Sequence, residues 1–377
     1  MKSNTSSSAK ALYASNKTEH IGSFLRALTL KKARYDFADR VIYEETLRQV
    51  ENAEIDNLID IQLDLDCSVM TDGDFRRAWW HFDFLEQFNG IDGYKTRRGL
   101  QYKDAISKAY DVRVSDKISF HADHACLAHY RYLHDAIEGF ATAKYCMPSP
   151  NMMLLPHVRQ NRTYGDDLQS YIQDLGQAFK DAIQALYAQG CRYIQINDQF
   201  LAYLSDDRYR EQELLNAMDP IQLAEYAVTT LNLALADKPC DLVVGLHIER
   251  GNFSSSWLYQ GDYAFVFAHV LTHLKNIDRY FLEFDTPRSG DFACLAQLEH
   301  VDADVFLGLI SSKTEIIEQP EQIMACIHTA AQYLPLSRLG LCLQSGFAST
   351  EEGNKISYDT QWKKIKLMNQ VAEHIWA

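Results

Sequence analysis

The chain has 377 residues, of which 37 are lysine or arginine and 51 are aspartate or glutamate, so its formal net charge is −14 at pH 7. A chain this acidic, without a basic block, would be repelled by a phosphate backbone, so no nucleic-acid partner is expected. Hydrophobic residues make up 47% and charged residues 23%, as in a globular chain with a large core. No apolar run approaches the roughly 20 residues of a membrane span, so no membrane partner is expected either.

The amino-terminal sequence is polar and lacks the apolar segment of a secretory signal. We therefore expect residues 1–18 to be a disordered tail and the protein to be cytoplasmic. The eight cysteines are dispersed, without a C-x-x-C pair, and several lie in apolar stretches. This pattern favours buried, reduced thiols over a disulfide framework.

Short apolar runs alternate with long amphipathic stretches from residue 19 onward. The predicted strands are 21–24, 69–72, 143–148, 193–197, 242–247, 280–285, 305–310 and 339–343. The predicted helices include 167–189, 220–236, 318–333 and 357–376. Alternation of this kind implies a parallel sheet, and about eight such units imply a closed (β/α)8 barrel. The alternative, an open doubly wound sheet, normally carries a G-x-G-x-x-G turn, which the sequence lacks.

Residues 80–140 do not fit one strand and one helix. The stretch is aromatic and charged, and it begins beside Trp79 and Trp80. We expect it to be an insertion after the second strand that covers the mouth of a single barrel domain, residues 19–377.

In such a barrel the active site lies at the carboxyl ends of the strands. Polar side chains follow most of the predicted strands, and Gly22 at the first end would let a ligand approach the backbone closely. The residues singled out at these ends are Ile21, Gly22, Ser23, Asp74, Ser149, Asn197, Asp198, His247, Glu249, Glu283, Asp285 and Ser345.

Several of these residues also have a purely structural interpretation. Asp74 and Asp198 could cap the helices that follow them, and His247 could be a hydrogen-bonded core histidine. The Arg76-Arg77 pair is more typical of a solvated face than of a substrate clamp. Trp79 and Trp80 could be ordinary core.

Glu283 and Asp285 are harder to explain structurally. They lie two residues apart on a predicted strand and therefore point to the same side. Two carboxylates aimed into a barrel are costly unless a cation or an arginine lies between them.

In chain order, the strand ends carry the motifs IGSF, TDGDFRR followed by WWHFDF, PSP, IQIND, HIERGN, LEFDTPRSGDF and QSGFASTEEGN. This set resembles the cobalamin-independent methionine synthase family, and most closely its short, single-barrel members of the methionine synthase II type. The likeness runs from about residue 20 to the carboxyl terminus.

The resemblance implies methyl transfer from methyltetrahydrofolate to homocysteine, with a zinc ion that binds the thiol. The family's zinc ligands are a histidine, two cysteines and an acid. The histidine corresponds to His247 and the acid to Asp285, with Glu283 beside it. The two cysteine positions hold Glu249 and Ser345, so both thiolate ligands are missing. The remaining set would suit a harder divalent cation as well as zinc, or none.

The resemblance also implies an amino-acid site. Backbone groups of Ile21, Gly22 and Ser23 would bind the substrate carboxylate, and Asp74 its amino group. Asn197 stands where the family commonly has Asp, and Asp198 keeps the acid that follows. A stacking wall for the folate would come from Trp79, Trp80 and the segment that contains Ser149.

Three hypotheses follow from these observations. The first is a methyltransferase that acts on a small thiol, as a monomer or a homodimer. The second is a related barrel enzyme with an altered or absent metal and a different substrate. The third is a non-catalytic protein that keeps the amino-acid pocket.

Overall fold

A computed structural model describes residues 16–137 and 139–376 of the chain. Most of the predicted tail, residues 1–15, lies outside the described residues. The last residue of that predicted tail, Thr18, pairs with Leu341 at the start of the barrel.

The described strands are β1 (Thr18–Glu19), β2 (Val69–Met70), β3 (Asn89–Tyr94), β4 (Asp111–Ser119), β5 (Thr142–Ala143), β6 (Tyr145–Pro148), β7 (Tyr193–Asp198), β8 (Val243–Ile248), β9 (Arg279–Glu283), β10 (Asp304–Ile310) and β11 (Leu339–Leu343). The described α-helices are α1 (Leu28–Ala38), α2 (Glu44–Asp64), α3 (Phe82–Leu85), α4 (Cys126–Ile137), α5 (Pro156–Arg159), α6 (Leu168–Ala188), α7 (Phe200–Ser205), α8 (Asp207–Leu215), α9 (Pro220–Ala234), α10 (Ala264–His269), α11 (Pro320–Ala330) and α12 (Tyr358–Trp376).

Parallel strands close into a ring. In the described part of the chain, the main sheet has the order β1-β11-β10-β9-β8-β7-β6, and β2 pairs with β5. Lys144 joins β5 to β6, so the two form one bent strand of the barrel. Ser23, beyond β1, pairs with Gly73, beyond β2, and this bridge completes the ring. The predicted (β/α)8 barrel is confirmed.

The barrel strands are covered by amphipathic helices. Strands β7, β8 and β9 are buried along their whole length, because side chains fill the barrel inside and helices cover it outside. At the start of α6, the Asp167 side chain accepts a hydrogen bond from the Ser170 N–H (3.0 Å). The buried face of α6 includes Tyr171, Leu175, Phe179, Ile183 and Leu186. This spacing of three or four residues is why the segment packs as a helix.

Residues 80–140 contain both an addition to the barrel and a part of it. Strands β3 and β4 form an antiparallel hairpin, whereas α4 is the crossover helix that leads to β5. The loop between β3 and β4 reaches the strand ends of the barrel. There the Lys103 N–H donates to the Trp257 carbonyl (2.9 Å), and the Tyr102 ring lies 5.3 Å from the Phe253 ring.

The first strand was predicted wrongly. It spans Thr18–Glu19 rather than 21–24, because the chain leaves the sheet after it. Gly22 takes a φ of +127°, and the Ile21 carbonyl accepts from the Gln195 side chain (2.7 Å) instead of from a neighbouring strand. The other seven predicted strands overlap barrel strands with ends within about two residues, and the four predicted helices are confirmed with ends within about three.

A charged network that the sequence did not predict fills the barrel interior. Glu19 on β1 accepts hydrogen bonds from the Tyr193 hydroxyl (2.7 Å), from Lys144 Nζ (3.2 Å) and from Arg279. All four side chains are buried. Because the two cations balance the carboxylate, the network satisfies charges that would otherwise be costly inside a barrel.

All eight cysteines are free, as expected, and Cys126, Cys146, Cys191 and Cys342 are buried, although Cys240 is exposed. None of the described helices has the length and apolar character needed to cross a membrane.

Buried histidines predict how the stability of this fold depends on pH. His20 is buried, and its Nε2 lies 3.0 Å from the Val69 carbonyl. Burial, helped by the charge of Lys144, lowers the pKa of His20 to about 3. Below about pH 6.5 this histidine is protonated in the unfolded chain but stays neutral in the folded chain. The stability that it contributes is therefore lost as the pH falls below about 6.5.

Lowering the pH from about 7.5 to about 5 should decrease the free energy of unfolding of the unchanged protein. We expect this decrease to be about 2 kcal/mol smaller in His20→Gln. Urea denaturation at the two pH values measures this difference. His300→Gln, which removes an exposed histidine, is the control and should keep the original pH dependence. Equal pH dependence in His20→Gln and the unchanged protein would contradict the argument.

Candidate active site

The predicted metal ligands lie in one buried region at the carboxyl ends of β8, β9 and β11. His247 Nδ1 is 3.2 Å from Oδ1 of Asn197, and His247 Nε2 is 3.4 Å from the Gln344 carbonyl, next to Ser345. Burial lowers the pKa of His247 to about 4, so the ring is neutral near pH 7. A neutral imidazole has one N–H, so His247 donates to only one of these two oxygens.

An arginine lies between the two carboxylates on the sixth barrel strand. Glu283 ends β9, and Asp285 lies two residues later. One Glu283 oxygen accepts from the Arg250 N–H (2.8 Å), and the other is 3.3 Å from Arg288 Nη2, which is also 3.7 Å from Asp285. Burial alone would raise the pKa of Glu283, but the charges of Lys313 and Arg288 more than offset burial and hold it below its ordinary value.

Glu249 Oε1 and Lys313 Nζ, near this pair, form no hydrogen bond with any residue that the structure describes. Burial, with the Glu283 carboxylate as the next cause, raises the pKa of Glu249 to about 8. Lys313 follows β10, and its buried ammonium lies in the electrostatic field of Glu283, Asp285 and Glu249.

Several buried polar atoms of this region have no hydrogen-bond partner among the residues that the structure describes. They include Glu249 Oε1, Asp285 Oδ1, Lys313 Nζ, Gln344 Nε2 and Ser345 Oγ, and we call these five atoms the polar cluster. The side-chain nitrogens of Arg250, Oδ1 of Asn252 and Nε of Arg288 likewise have no such partner. A buried polar atom without a partner costs free energy. The polar cluster therefore indicates a place where a polar ligand binds.

The donor set does not fit the zinc ion that the sequence resemblance implies. Both Glu283 oxygens are engaged by Arg250 and Arg288, the Ser345 hydroxyl is a weak neutral ligand, and Lys313 adds a positive charge among the acids. Within residues 16–137 and 139–376, no group of three or more His, Cys, Asp or Glu side chains is arranged to hold a metal ion.

The backbone groups predicted to bind a substrate carboxylate are close to the site but largely engaged. The Ile21 carbonyl accepts from Gln195, the Gly22 carbonyl from the Thr71 hydroxyl (2.6 Å), and the Ser23 carbonyl from the Phe347 N–H (2.9 Å). Their remaining capacity toward a ligand is that of N–H donors.

Gly22 has a structural reason to be glycine. A Cβ added at this position would lie 2.5 Å from the Cys146 sulfur, and its φ is +127°. The glycine therefore makes room for Cys146 and for its own positive φ, and its predicted role in ligand approach stays a prediction.

Asp74 is paired inside the protein. Its carboxylate lies 3.2 Å from Arg77 Nη1, and burial raises its pKa despite that cation. The solvated face expected for the two arginines was wrong, because Arg76 is buried against Glu51 (3.1 Å) and Arg77 donates to the Cys146 carbonyl (2.7 Å).

A chain of side-chain hydrogen bonds fixes the orientation of Asn197. Lys144 donates to Gln195 Oε1 (2.9 Å), so the Gln195 amide group is left to donate to Asn197 Oδ1 (2.8 Å). With its oxygen occupied, Asn197 has its own amide group left to offer, which is a donor and not a charged acceptor.

Asp198 and Ser149 are structural rather than exposed to a ligand. Asp198 accepts from the Leu201 N–H (2.9 Å) and from Asn151 Nδ2 (2.9 Å), and burial raises its pKa to about 6. The Ser149 hydroxyl accepts from the Asn151 N–H (3.1 Å). Both side chains are fully buried, so the capping role that we considered for Asp198 is the one that the structure has.

A cavity of about 380 Å³ lies under the loop between β3 and β4. Burial raises the pKa of Tyr102, in the lining of this cavity, and the Glu249 carboxyl group of the polar cluster is close enough to help raise it. Its aromatic lining includes Trp79, Phe82, Tyr102, Tyr203, Tyr209 and Tyr259. Trp79 is stacked on Phe253 with an interplanar angle of 7°. The loop after β8 connects the two regions, because the Leu258 and Tyr259 N–H groups donate to the Arg250 carbonyl (3.0 and 3.1 Å). We call this space the aromatic cavity.

Trp80 differs from its neighbour, since it is buried beside His81 and does not line the aromatic cavity. The tyrosines of the cavity were missed in the sequence because they come from separate segments. Lys313 and Arg288 were missed because a single cation in a loop is ordinarily solvated.

A closed barrel with a polar cluster beside an aromatic cavity is typical of an enzyme that brings two small molecules together at its strand ends. Residues 16–374 match the family described as the cobalamin-independent synthase catalytic domain. The chain belongs to the cobalamin-independent methionine synthase-like family.

Relatives cover almost the whole chain. It is 39% identical to the uncharacterized protein YxjH and 38% identical to the uncharacterized protein YxjG of Bacillus subtilis (strain 168), each over 96% of this chain and 94% of the relative.

Solved structures agree. A putative vitamin-B12 independent methionine synthase from Listeria monocytogenes is 33% identical, with a TM-score of 0.76 over 96% of this chain and 98% of the other. A B12-independent methionine synthase from Shewanella sp. W3-18-1, in complex with selenomethionine, is 17% identical, with a TM-score of 0.69 over 95% and 97% of the two chains, and shows the fold.

Charge balance at the site gives a prediction. Arg288→Met removes the side chain that contacts both Glu283 and Asp285, and it leaves two buried carboxylates less compensated. We expect the free energy of unfolding at neutral pH to fall by about 3 kcal/mol in urea denaturation. Arg113→Met is the matched control, because Arg113 is exposed and lies 3.9 Å from an exposed Asp92. The control should change stability by less than about 0.5 kcal/mol. Similar losses in both variants would show that Arg288 does not balance these acids.

Proposed function

We propose that the chain is an S-methyltransferase that passes a methyl group from a methylated pterin to the sulfur of a small thiol. Family membership supports the class of reaction. The observation that carries the proposal for this chain is the polar cluster beside the aromatic cavity. Group transfer between two unlike molecules needs two adjoining sites that hold the reacting atoms in contact.

The acceptor would bind at the polar cluster. Asn197 offers amide hydrogens, the segment from Ile21 to Ser23 offers backbone N–H donors, and the cluster itself offers carboxylate oxygens and an ammonium group. A small molecule with both charged and hydrogen-bonding groups would satisfy these atoms, and its burial there would keep water from competing for the methyl group.

The methyl donor would bind in the aromatic cavity. A pterin ring is flat and polar at its edge, so it stacks on rings such as Trp79 while its edge atoms form hydrogen bonds. The lining includes the polar side chains of Gln199, Gln212 and Asn216 for such contacts. From this cavity the methyl group would point toward the polar cluster.

Transfer requires the acceptor sulfur to attack the methyl carbon in line with the bond that breaks. The new sulfur–carbon bond forms as the nitrogen–carbon bond of the donor breaks, and its electron pair stays on the donor nitrogen. That nitrogen takes up one proton, which balances the proton that the thiol gives up. A thiol of pKa roughly 8.5 must give up its proton for this step.

The direct test is to incubate the purified protein with L-homocysteine and methyltetrahydrofolate that carries a deuterated methyl group. Mass spectrometry should detect labelled methionine. Absence of any labelled thioether with homocysteine or with a panel of small thiols would refute the proposal.

The two parts of the site should also separate in kinetics. Trp79→Phe shortens the wall of the aromatic cavity, so we expect the KM for the pterin donor to rise about fivefold to tenfold with little change in the KM for the thiol. Trp362→Phe is the matched control, because Trp362 stacks on Phe24 and does not line the cavity. If the two variants alter donor KM equally, the aromatic cavity is not the donor site.

A second candidate concerns the acceptor. Asn197 replaces the Asp that the family commonly has, and Asp74 is paired with Arg77, so two groups expected to bind a substrate ammonium are not free to do so. These contacts favour an acceptor thiol without an α-amino group. The desamino analogue of homocysteine, compared with homocysteine in the same assay, tests this: a lower KM for the analogue supports it, and a higher one contradicts it.

A further inference from the structure

Two buried cations of the site have side-chain nitrogens without a hydrogen bond to any described residue, Arg250 and Lys313. The Arg250 guanidinium lies 4.2 Å from the centre of the Tyr263 ring, whereas Lys313 has no such contact among the described residues. It lies three residues beyond β10, its side chain is buried, and its Nζ forms neither a hydrogen bond nor an ion pair with any described residue. Lysine is almost never buried without a partner, because an ammonium group removed from water loses its hydration. Acids of the chain act on this ammonium at a distance, but no described residue forms a hydrogen bond with it, so it calls for an anionic group in direct contact.

The neighbouring acids do not fill this need. Glu283 already forms an ion pair with Arg288 and accepts a hydrogen bond from the Arg250 N–H. Arg288 also forms an ion pair with Asp285. Glu249 acts on Lys313 at longer range, and its Oε1 has no partner in the described structure. A ligand atom that contacts both Lys313 and Glu249 would satisfy the polar atoms on both sides.

The positions expected to hold thiolate ligands strengthen this interpretation. Glu249 and Ser345 occupy them, and neither is a strong ligand for a soft cation. A dication placed there would also meet the positive charge of Lys313. The site thus already contains a cation, in the form of a side chain.

We propose that the Lys313 ammonium, rather than a metal ion, is the positive charge that binds the sulfur of the acceptor as a thiolate. This inference rests on the proposed function, since it concerns the acceptor of that reaction. Lys313 is then a binding residue for the acceptor that neither the motifs nor the family pattern pointed to.

The test uses two ligands that differ in whether their sulfur can ionise. L-Homocysteine has a thiol, whereas L-methionine carries the same amino-acid head and a thioether. We expect Lys313→Met to weaken homocysteine binding in calorimetry by about tenfold or more and methionine binding by less than about twofold. When homocysteine is mixed with the unchanged protein, we expect the ultraviolet absorbance of a bound thiolate to appear. This absorbance should be lost in Lys313→Met and regained in Lys313→Arg. Thermal melting of both variants shows that they are folded.

Metal analysis completes the test. Protein purified without chelators, and then equilibrated with zinc and desalted, should hold well under one zinc per chain, and EDTA should leave homocysteine binding unchanged. One zinc per chain together with EDTA-sensitive binding would overturn the inference while leaving methyl transfer intact. Equal weakening of both ligands in Lys313→Met would also overturn it, because Lys313 would then bind a group that the two share. If neither ligand binds and no labelled thioether forms, the proposed function fails and the inference fails with it.

Discussion

Three carboxyl groups buried at one end of the barrel determine which charges and hydrogen bonds the residues around them must supply. Glu249, Glu283 and Asp285 lie where β8 and β9 end. Glu249 and Glu283 are buried, and the Asp285 side chain is only 3% exposed. Charges in such a place must be matched by other charges or by hydrogen bonds, because the free energy lost in dehydration is several kcal/mol for each ion. Arg288 meets two of them, and Glu283 also accepts a hydrogen bond from the Arg250 N–H, which ties the loop after β8 to the end of β9. The positions of the loops at the carboxyl ends of β8 and β9 therefore depend on this balance of charge.

The same requirement operates deeper in the barrel and connects the interior to the site. Glu19 is balanced by Lys144 and Arg279, and Lys144 also donates to Gln195. Gln195 in turn donates to Asn197, which faces His247. Since each hydrogen bond decides which atom of the next side chain is left free, a charge near the floor of the barrel determines what Asn197 presents at the mouth. The floor network is therefore a support for the site as well as for the fold.

The sequence predicted the parts of this molecule that depend on local pattern. Runs of apolar residues identified the strands after the first, and helical spacing identified helices such as α6 and α9, because both periodicities are set by the backbone. The first strand failed, since β1 has two residues and its pairing with β11 depends on a partner more than 300 residues away. The bridge between Ser23 and Gly73, which closes the ring, depends on a distant partner in the same way.

The candidate site likewise has features that local sequence predicted and features that depend on contacts between separate segments. The strand-end rule pointed to His247, Glu249, Glu283, Asp285 and Ser345, which do share one region. It could not show that Gly22 accommodates Cys146, because that contact joins two different strands. It also could not show that Arg77 turns back on Asp74, three residues earlier, because that depends on the burial of both side chains. Lys313 follows a predicted strand too, so applying the rule to the seventh strand end would have found it. Its burial, however, depends on acids that other strands contribute.

An ammonium group and a zinc ion activate a bound thiol to different extents. If Lys313 takes the place of zinc, the rest of the protein must therefore contribute more to the rate of the reaction. Zinc carries two charges and a direct bond to sulfur, and it deprotonates a thiol outright. An ammonium carries one charge and offers hydrogen bonds, so it lowers the pKa of a bound thiol less. The acids beside Lys313 reduce its field further, except where Arg288 already neutralises them. A thiolate held this way is bound less tightly to its cation than one held by zinc, and its electron pair is correspondingly more available for attack. More of the rate must then come from exclusion of water and from alignment with the donor, which are the tasks of the hairpin loop over the mouth and of the aromatic cavity beneath it.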